Sequence, residues 1–281
     1  MTTPAVTTTA EVPGGTSGEV IRARPAGLVH DMTSIAGRAL RAVPRDIESV
    51  MPPIFIALFF FIVNIATLKK VVDHGQFHGL NYTAFQMGTA ILLGVTGVSR
   101  APALVLDIQD RYFDRLLLTP VRRTAILLGH MVADVTVAAA LSIPIMILGL
   151  ALGVSFLDGP LGFLVFIVIA SLWSLAFAGF GYAIALKTGN PAAVNSTFLL
   201  FFPFLFLTTA YVPRAGLTGW LGHVATFNPV TYLLAGLRSL VLGGGWQWGA
   251  LGQAFLAIFG VALVSLTLCF GALRGRINKG A

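Results

Sequence analysis

The sequence predicts an all-α polytopic membrane protein with six transmembrane helices, an N-terminal amphipathic interfacial helix and an outer re-entrant helical hairpin between spans five and six. Three observations lead there. Of 281 residues, 56% are hydrophobic and only 10% are charged, far below the roughly 25% charged content of soluble domains. Charge-free windows of about 20 apolar residues, the length that crosses a core of about 30 Å, recur along the chain. The 18 basic residues, set against 11 acidic ones, gather on one side of those windows. The net charge of +7 therefore reports orientation and calls for no nucleic-acid partner. The lone Cys269 makes neither an intrachain disulfide nor a multi-cysteine metal site.

Residues 1–27 are small and polar without an apolar period, and read as a disordered cytoplasmic tail. No apolar stretch follows a short basic start as a secretory signal requires. Over 28–49 the apolar residues Leu28, Met32, Ile35, Ala36, Ala39, Val43 and Ile47 recur every three or four positions. Arg38, Arg41 and Arg45 fall on the other side, which predicts an interfacial helix whose basic face meets anionic headgroups. A soluble regulatory segment is the other reading. Pro44 has no amide proton, so the helix should bend there before the first span.

The charge-free windows are 50–68, 80–99, 135–157, 161–186, 192–212 and 246–273. They place both ends of the chain on the same side. That side holds 14 of the 18 basic residues and the other keeps Lys69, Lys70, Arg214 and Arg238, so the ends are expected in the cytoplasm. Trp220, Trp246 and Trp248 then lie at the outer interface, where aromatic belts form. Residues 213–245 are too apolar for an exposed loop, and too interrupted by Pro229 and glycines to cross twice. They predict short helices dipping into the outer leaflet, or shallow helices on its surface.

Little of the chain is suited to chemistry of its own. The nearest approach to a phosphate loop is Gly181 followed by Lys187 and Thr188, but Leu186 stands where the second glycine is needed. HExxH, Cys–His metal spacings and GxSxG are all absent from the sequence, so neither catalytic residues nor metal ligands are assigned. His130 and Asp134 share a helix face. They read as interfacial structural residues, since 135–157 already spans the core, or as a proton relay. Asn64, Asn195, Gln86 and Thr208 are uncharged candidates for interhelical bonds or substrate contact.

Between spans two and three, Asp107, Asp110, Arg111, Asp114 and Arg115 alternate in sign at helical spacing around Tyr112, Phe113 and Leu116, and Pro120 stops the helix. Such a helix is suited to docking a cytoplasmic partner, or to lying on headgroups.

These residues resemble a known family. The run from Phe113 through Asp114, Arg115, Leu116, Thr119 and Pro120 to Arg123, continued by Gly129, Ala133 and Asp134, resembles the cytoplasmic signature of ABC-2 type exporter permeases, closest to the daunorubicin-resistance type. A second ordered match follows: Tyr211-Val212-Pro213, Gly219-Trp220-Leu221, Asn228-Pro229-Val230-Thr231, then Leu237-Arg238-Ser239-Leu240. The resemblance covers 51–273, with His130 where these proteins often carry Lys or Arg. It implies a six-span permease in a bacterial cytoplasmic membrane that pairs with itself or a sister permease and binds two ATP-binding subunits. ATP and Mg would be held by those subunits, which explains the missing phosphate loop. By resemblance 107–118 is the ATPase-coupling helix and 28–43 the interfacial connecting helix. The outer hairpin would carry Pro213, Asn228, Pro229 and Arg238.

The function expected is export of a hydrophobic or amphipathic compound, a drug-like molecule or a lipid. Phe198, Phe201 and Phe202, with Tyr211, would offer a substrate path, although lipid contact and core packing are the favoured account of such a run, because membrane-facing helix surfaces are apolar by default. A proton- or ion-coupled secondary transporter is the alternative; it needs midplane charges and an internal repeat, neither of which is clear in the sequence. An assembly protein without transport would leave the outer hairpin unexplained.

Overall fold

The computed structural model describes residues 27–74, 79–112, 115 and 122–279, and every regular element among them is helical. Helix α1, Leu28–Ala42, buries Asp31, Ile35, Ala36 and Ala39. The 3-10 turn Val43–Arg45 follows, with Pro44 in its first turn, where a missing amide proton does no harm. The chain then enters α2, Ile47–His74.

Among the described residues five helices are long and apolar enough to cross a membrane: Ile47–Lys70, Tyr82–Gln109, Thr124–Ala151, Pro160–Thr188 and Trp248–Asn278. The second is broken into α3, Tyr82–Thr96, and α4, Ala101–Gln109. The third and fourth are α5, Arg123–Ala151, and α6, Pro160–Thr188. The window at 192–212 gives a shorter apolar helix, Pro191–Phe206, split at Ser196 into α7, Pro191–Asn195, and α8, Thr197–Phe206. At ~1.5 Å per residue it reaches about 24 Å, short of a full crossing. Leu207 leaves helical geometry, so Tyr211 and Val212 lie beyond it. Over 213–245 two short helices form, α9, Gly219–Phe227, and α10, Pro229–Ser239. Helix α11, Trp248–Lys279, closes the chain.

The third window is displaced. Helix α5 begins at Arg123 and stops at Ala151, because Gly153 takes a φ of +87° that reverses the chain and removes 152–157 from the helix. His130 and Asp134 therefore sit inside a candidate span and are buried, where the sequence placed them at the interface.

Helix α3 is the centre of the bundle, with all its residues from Tyr82 to Thr96 buried. It is surrounded by α2, α5, α6 and α10, while α11 packs on α6 and α10 and α1 lies on α5. Small residues set the closest approaches, as expected where apolar surroundings give helices no hydrophobic reason to associate. A Cβ on Gly129 would stand 2.7 Å from the Ile35 Cβ, and one on Gly236 2.5 Å from the Ala254 Cβ. The Trp173 indole donates to Thr96 Oγ1 at 2.9 Å and fixes α6 to the end of α3.

Candidate functional site

Polar clusters occupy the two ends of the bundle, and α1 marks one of them. There Arg38 donates to both carboxylate oxygens of Asp107, at 2.6 and 3.3 Å, and its guanidinium lies 4.5 Å from the Tyr112 ring centre. The hydrogen bond to Asp107 raises the Arg38 pKa above its ordinary range. His130 approaches the same carboxylate, Nε2 to Oδ2 at 3.5 Å. Its Nδ1, 2.9 Å from the Ile126 carbonyl, must be the donor there, since a carbonyl has no proton to give. Arg38, expected among headgroups with Arg41 and Arg45, is instead tied to α4; Arg41 and Arg45 are exposed.

The expected single helix over 107–118 is interrupted. Helix α4 ends at Gln109, whose side chain donates to the Gly189 carbonyl, and Arg111 takes a left-handed φ of 58°. Asp107 thus closes one helix, and the exposed Asp110 and Arg111 form the corner. Tyr112 and Arg115 lie in helical geometry after it. Phe113, Asp114, Leu116 and Pro120 lie outside the described residues.

Deeper at the same end, Asp134 is 0% exposed. It accepts from the Arg100 amide and from the Tyr182 hydroxyl, each at 2.6 Å. A buried carboxylate without such donors would be very costly. Arg100, the charge that follows the apolar window 80–99, is 2% exposed. Its side chain reaches Asp46 at 3.1 Å and Ser49 Oγ at 2.6 Å. One residue thereby joins the start of α2, the α3–α4 junction and α5. Arg100, Ser49 and Tyr182 carry no local signature that would have found them, because their partners lie 34 to 54 positions away.

At the other end Arg238, 6% exposed, holds α10 to the bundle. It donates to the Phe85 and Ala210 carbonyls at 3.1 and 3.0 Å and to Thr209 Oγ1 at 3.1 Å, and it stacks over the Phe85 ring. Asn228 caps α10 by accepting from the Val230 amide, and its own amide donates to the Phe204 and Leu207 carbonyls. Those carbonyls lie where α8 ends, so Asn228 joins the start of α10 to the end of α8. Pro229 occupies the first turn of α10, and Pro213 precedes the turn Arg214–Gly216. Tyr82 donates to the Tyr211 carbonyl.

The aromatic candidates divide. Phe198, Phe202, Phe206 and Tyr211 form a succession of ring contacts with centroids 5.1 to 6.1 Å apart. Phe201 turns the other way, fully buried against Trp173 and Phe177, and is a core residue. Phe198 also lines a cavity of about 520 Å³ between the start of α2, the α3–α4 junction, α6 and the α7–α8 helix.

A family model described as ABC-2 type transporter matches residues 32–242. Over 214 residues the chain is 26% identical to a probable doxorubicin resistance ABC transporter permease protein, DrrC, of Mycobacterium tuberculosis, covering 74% of this chain and 75% of that one. It is 24% identical over 216 residues to the putative transport permease ycf38 of Pyropia yezoensis, covering 70% and 73%. A similar protein of Porphyra purpurea is 24% identical over 205 residues, covering 68% and 70%.

Proposed function

This chain belongs to the ABC-2 type transporter family, and from that premise we propose that it is the permease subunit of an ATP-driven exporter of hydrophobic or amphipathic compounds. The observation that carries the reading is the tie between α1 and α4 through Arg38 and Asp107, with α1 seated on α5. It supports a rigid link from the charged segment after Gln109 into the helices of the bundle. The segment 107–120 docks an ATP-binding subunit, and its movement passes through Asp107 to α1 and α5. Two such subunits hold ATP and Mg, and a second permease, identical or a sister, completes the pathway.

Both chain ends face the cytoplasm of a bacterial inner membrane, in keeping with the basic residues on that side. The short helix Pro191–Phe206 serves as the fifth of six spans, supported by its apolar sequence and by the hairpin that Asn228 fastens to its end. That hairpin enters the outer leaflet, where the buried polar grip of Arg238 supplies the satisfied backbone that such an element requires. Rings from Phe198 to Tyr211 line the path, and lipid headgroups contact Arg41 and Arg45.

The buried Asp134 favours a second reading, a proton-coupled transporter, since intramembrane carboxylates often relay protons. Its two fixed donors weigh against that. The test is the energy source. Membrane vesicles energised with ATP, with the proton gradient collapsed, should move an amphipathic dye; movement that follows the gradient and ignores ATP would assign the chain to the second class.

A further inference from the structure

The 520 Å³ cavity at the α1 end has the volume of a site for a drug-sized molecule, and its lining is uneven in a telling way. One wall is apolar, with Pro52, Pro53, Ile56, Phe177 and Phe198. Its rim carries two carboxylates, Asp46 and Glu48, in a chain where basic residues outnumber acidic ones 18 to 11. The charge of Asp46 is answered by Arg100, which bonds its Oδ2 from outside the cavity. Glu48 is exposed and makes no hydrogen bond or ion pair among the described residues. Glu48 is therefore the carboxylate of the lining that no partner answers among the described residues, and it stands beside a low-dielectric wall, where such a charge attracts cations.

A second observation is independent of charge. Thr197 lines the cavity and is 5% exposed, yet its Oγ1 has no hydrogen-bond partner. A helical threonine ordinarily returns its hydroxyl to the carbonyl one turn back, as Thr136 does to Val132. A buried hydroxyl left without a partner is unfavourable, and a polar group of a bound molecule would supply one.

We propose that this cavity binds an amphipathic monocation, whose charge is read by Glu48 and whose polar edge is hydrogen-bonded by Thr197. The proposal rests on the exporter reading in so far as it names the class of compound carried, with the cavity as the entrance to the path that continues along Phe198 and Phe202. A neutral or anionic compound of the same shape loses the attraction of Glu48.

The test is equilibrium binding to the full-length chain in lipid nanodiscs, measured against empty nanodiscs. The probes are the cationic dye rhodamine 6G and its zwitterionic relative rhodamine B. Wild type should bind rhodamine 6G at least about tenfold more tightly. Glu48→Gln, a change at an exposed position, should erase that preference. Thr197→Val, which removes the hydroxyl and keeps the shape, should weaken rhodamine 6G about threefold and leave the preference in place. Equal binding of the two dyes to wild type, or a preference that survives Glu48→Gln, would overturn the cation site. These titrations involve neither ATP nor a partner. A co-purifying ATPase with no charge preference would sink the cavity proposal and keep the exporter; a Glu48-dependent preference in a chain without an ATPase would do the reverse.

Discussion

Arg38 and Asp107, 69 positions apart, meet through two parallel hydrogen bonds that join the amphipathic helix to the end of the second span. A bidentate guanidinium–carboxylate pair fixes orientation as well as distance, so α1 and α4 should move together. Truncating either residue to Ala should slow ATP-driven transport about fivefold, equivalent to roughly 1 kcal/mol. The double variant should be no worse than either single change, since both remove one interaction. Transport rates in vesicles, corrected for the amount of protein, check this.

The seat of α1 on α5 depends on Gly129. Its missing Cβ leaves room for Ile35, and Gly129→Ala would force the helices apart at a cost of about 1–3 kcal/mol. Limited proteolysis should then cut faster near the turn Val43–Arg45, while α11, which packs elsewhere, stays protected.

Asp134 has two donors, and removing one should be graded. Tyr182→Phe leaves one carboxylate oxygen without its partner and should cost about 1–3 kcal/mol. Asp134→Ala also strips the Arg100 amide of its acceptor and should cost more, whereas Asp134→Asn keeps an acceptor and should fall between wild type and Ala. Thermal unfolding in detergent gives the order.

These residues also mark where sequence reasoning stopped. Helix α1 and its break at Pro44 were legible because periodicity and proline act locally. Five of the apolar windows became long helices for the same reason. The registers were less accessible, because a charge-free window ends at the first charge whether or not that charge is solvated. Arg100 ended the second window at 99 and Asp134 opened the third at 135, yet both are buried. Their burial is made possible by Asp46, Ser49 and Tyr182, which no local pattern connects to them. The corner at Arg111 was hidden by an alternation of charges compatible with a continuous helix. Over 213–245 the proline and glycines announced interruption, but the grip of Arg238 on Phe85, 153 positions away, could come only from the fold.

That grip gives a prediction at the opposite end. Arg238→Lys keeps the charge but cannot reach Phe85, Thr209 and Ala210 together, because an ammonium lacks the planar fork of a guanidinium. It should cost roughly 2–3 kcal/mol, and Arg238→Met at least as much, through carbonyls left unsatisfied. A single cysteine placed in α10 should label faster in both variants, while one in α1 should not change.

If 107–120 docks the ATP-binding subunit as proposed, Phe113→Ala and Arg115→Glu should each abolish ATP-driven transport at unchanged expression. Normal export by both variants would remove this segment from the coupling route.

Purification of the intact protein from its native membrane tests most directly whether another chain supplies the ATPase. An ATP-binding subunit recovered with the permease in equal amount is the predicted result. Recovery of the chain alone, or only with copies of itself, in a preparation that still transports, would contradict it.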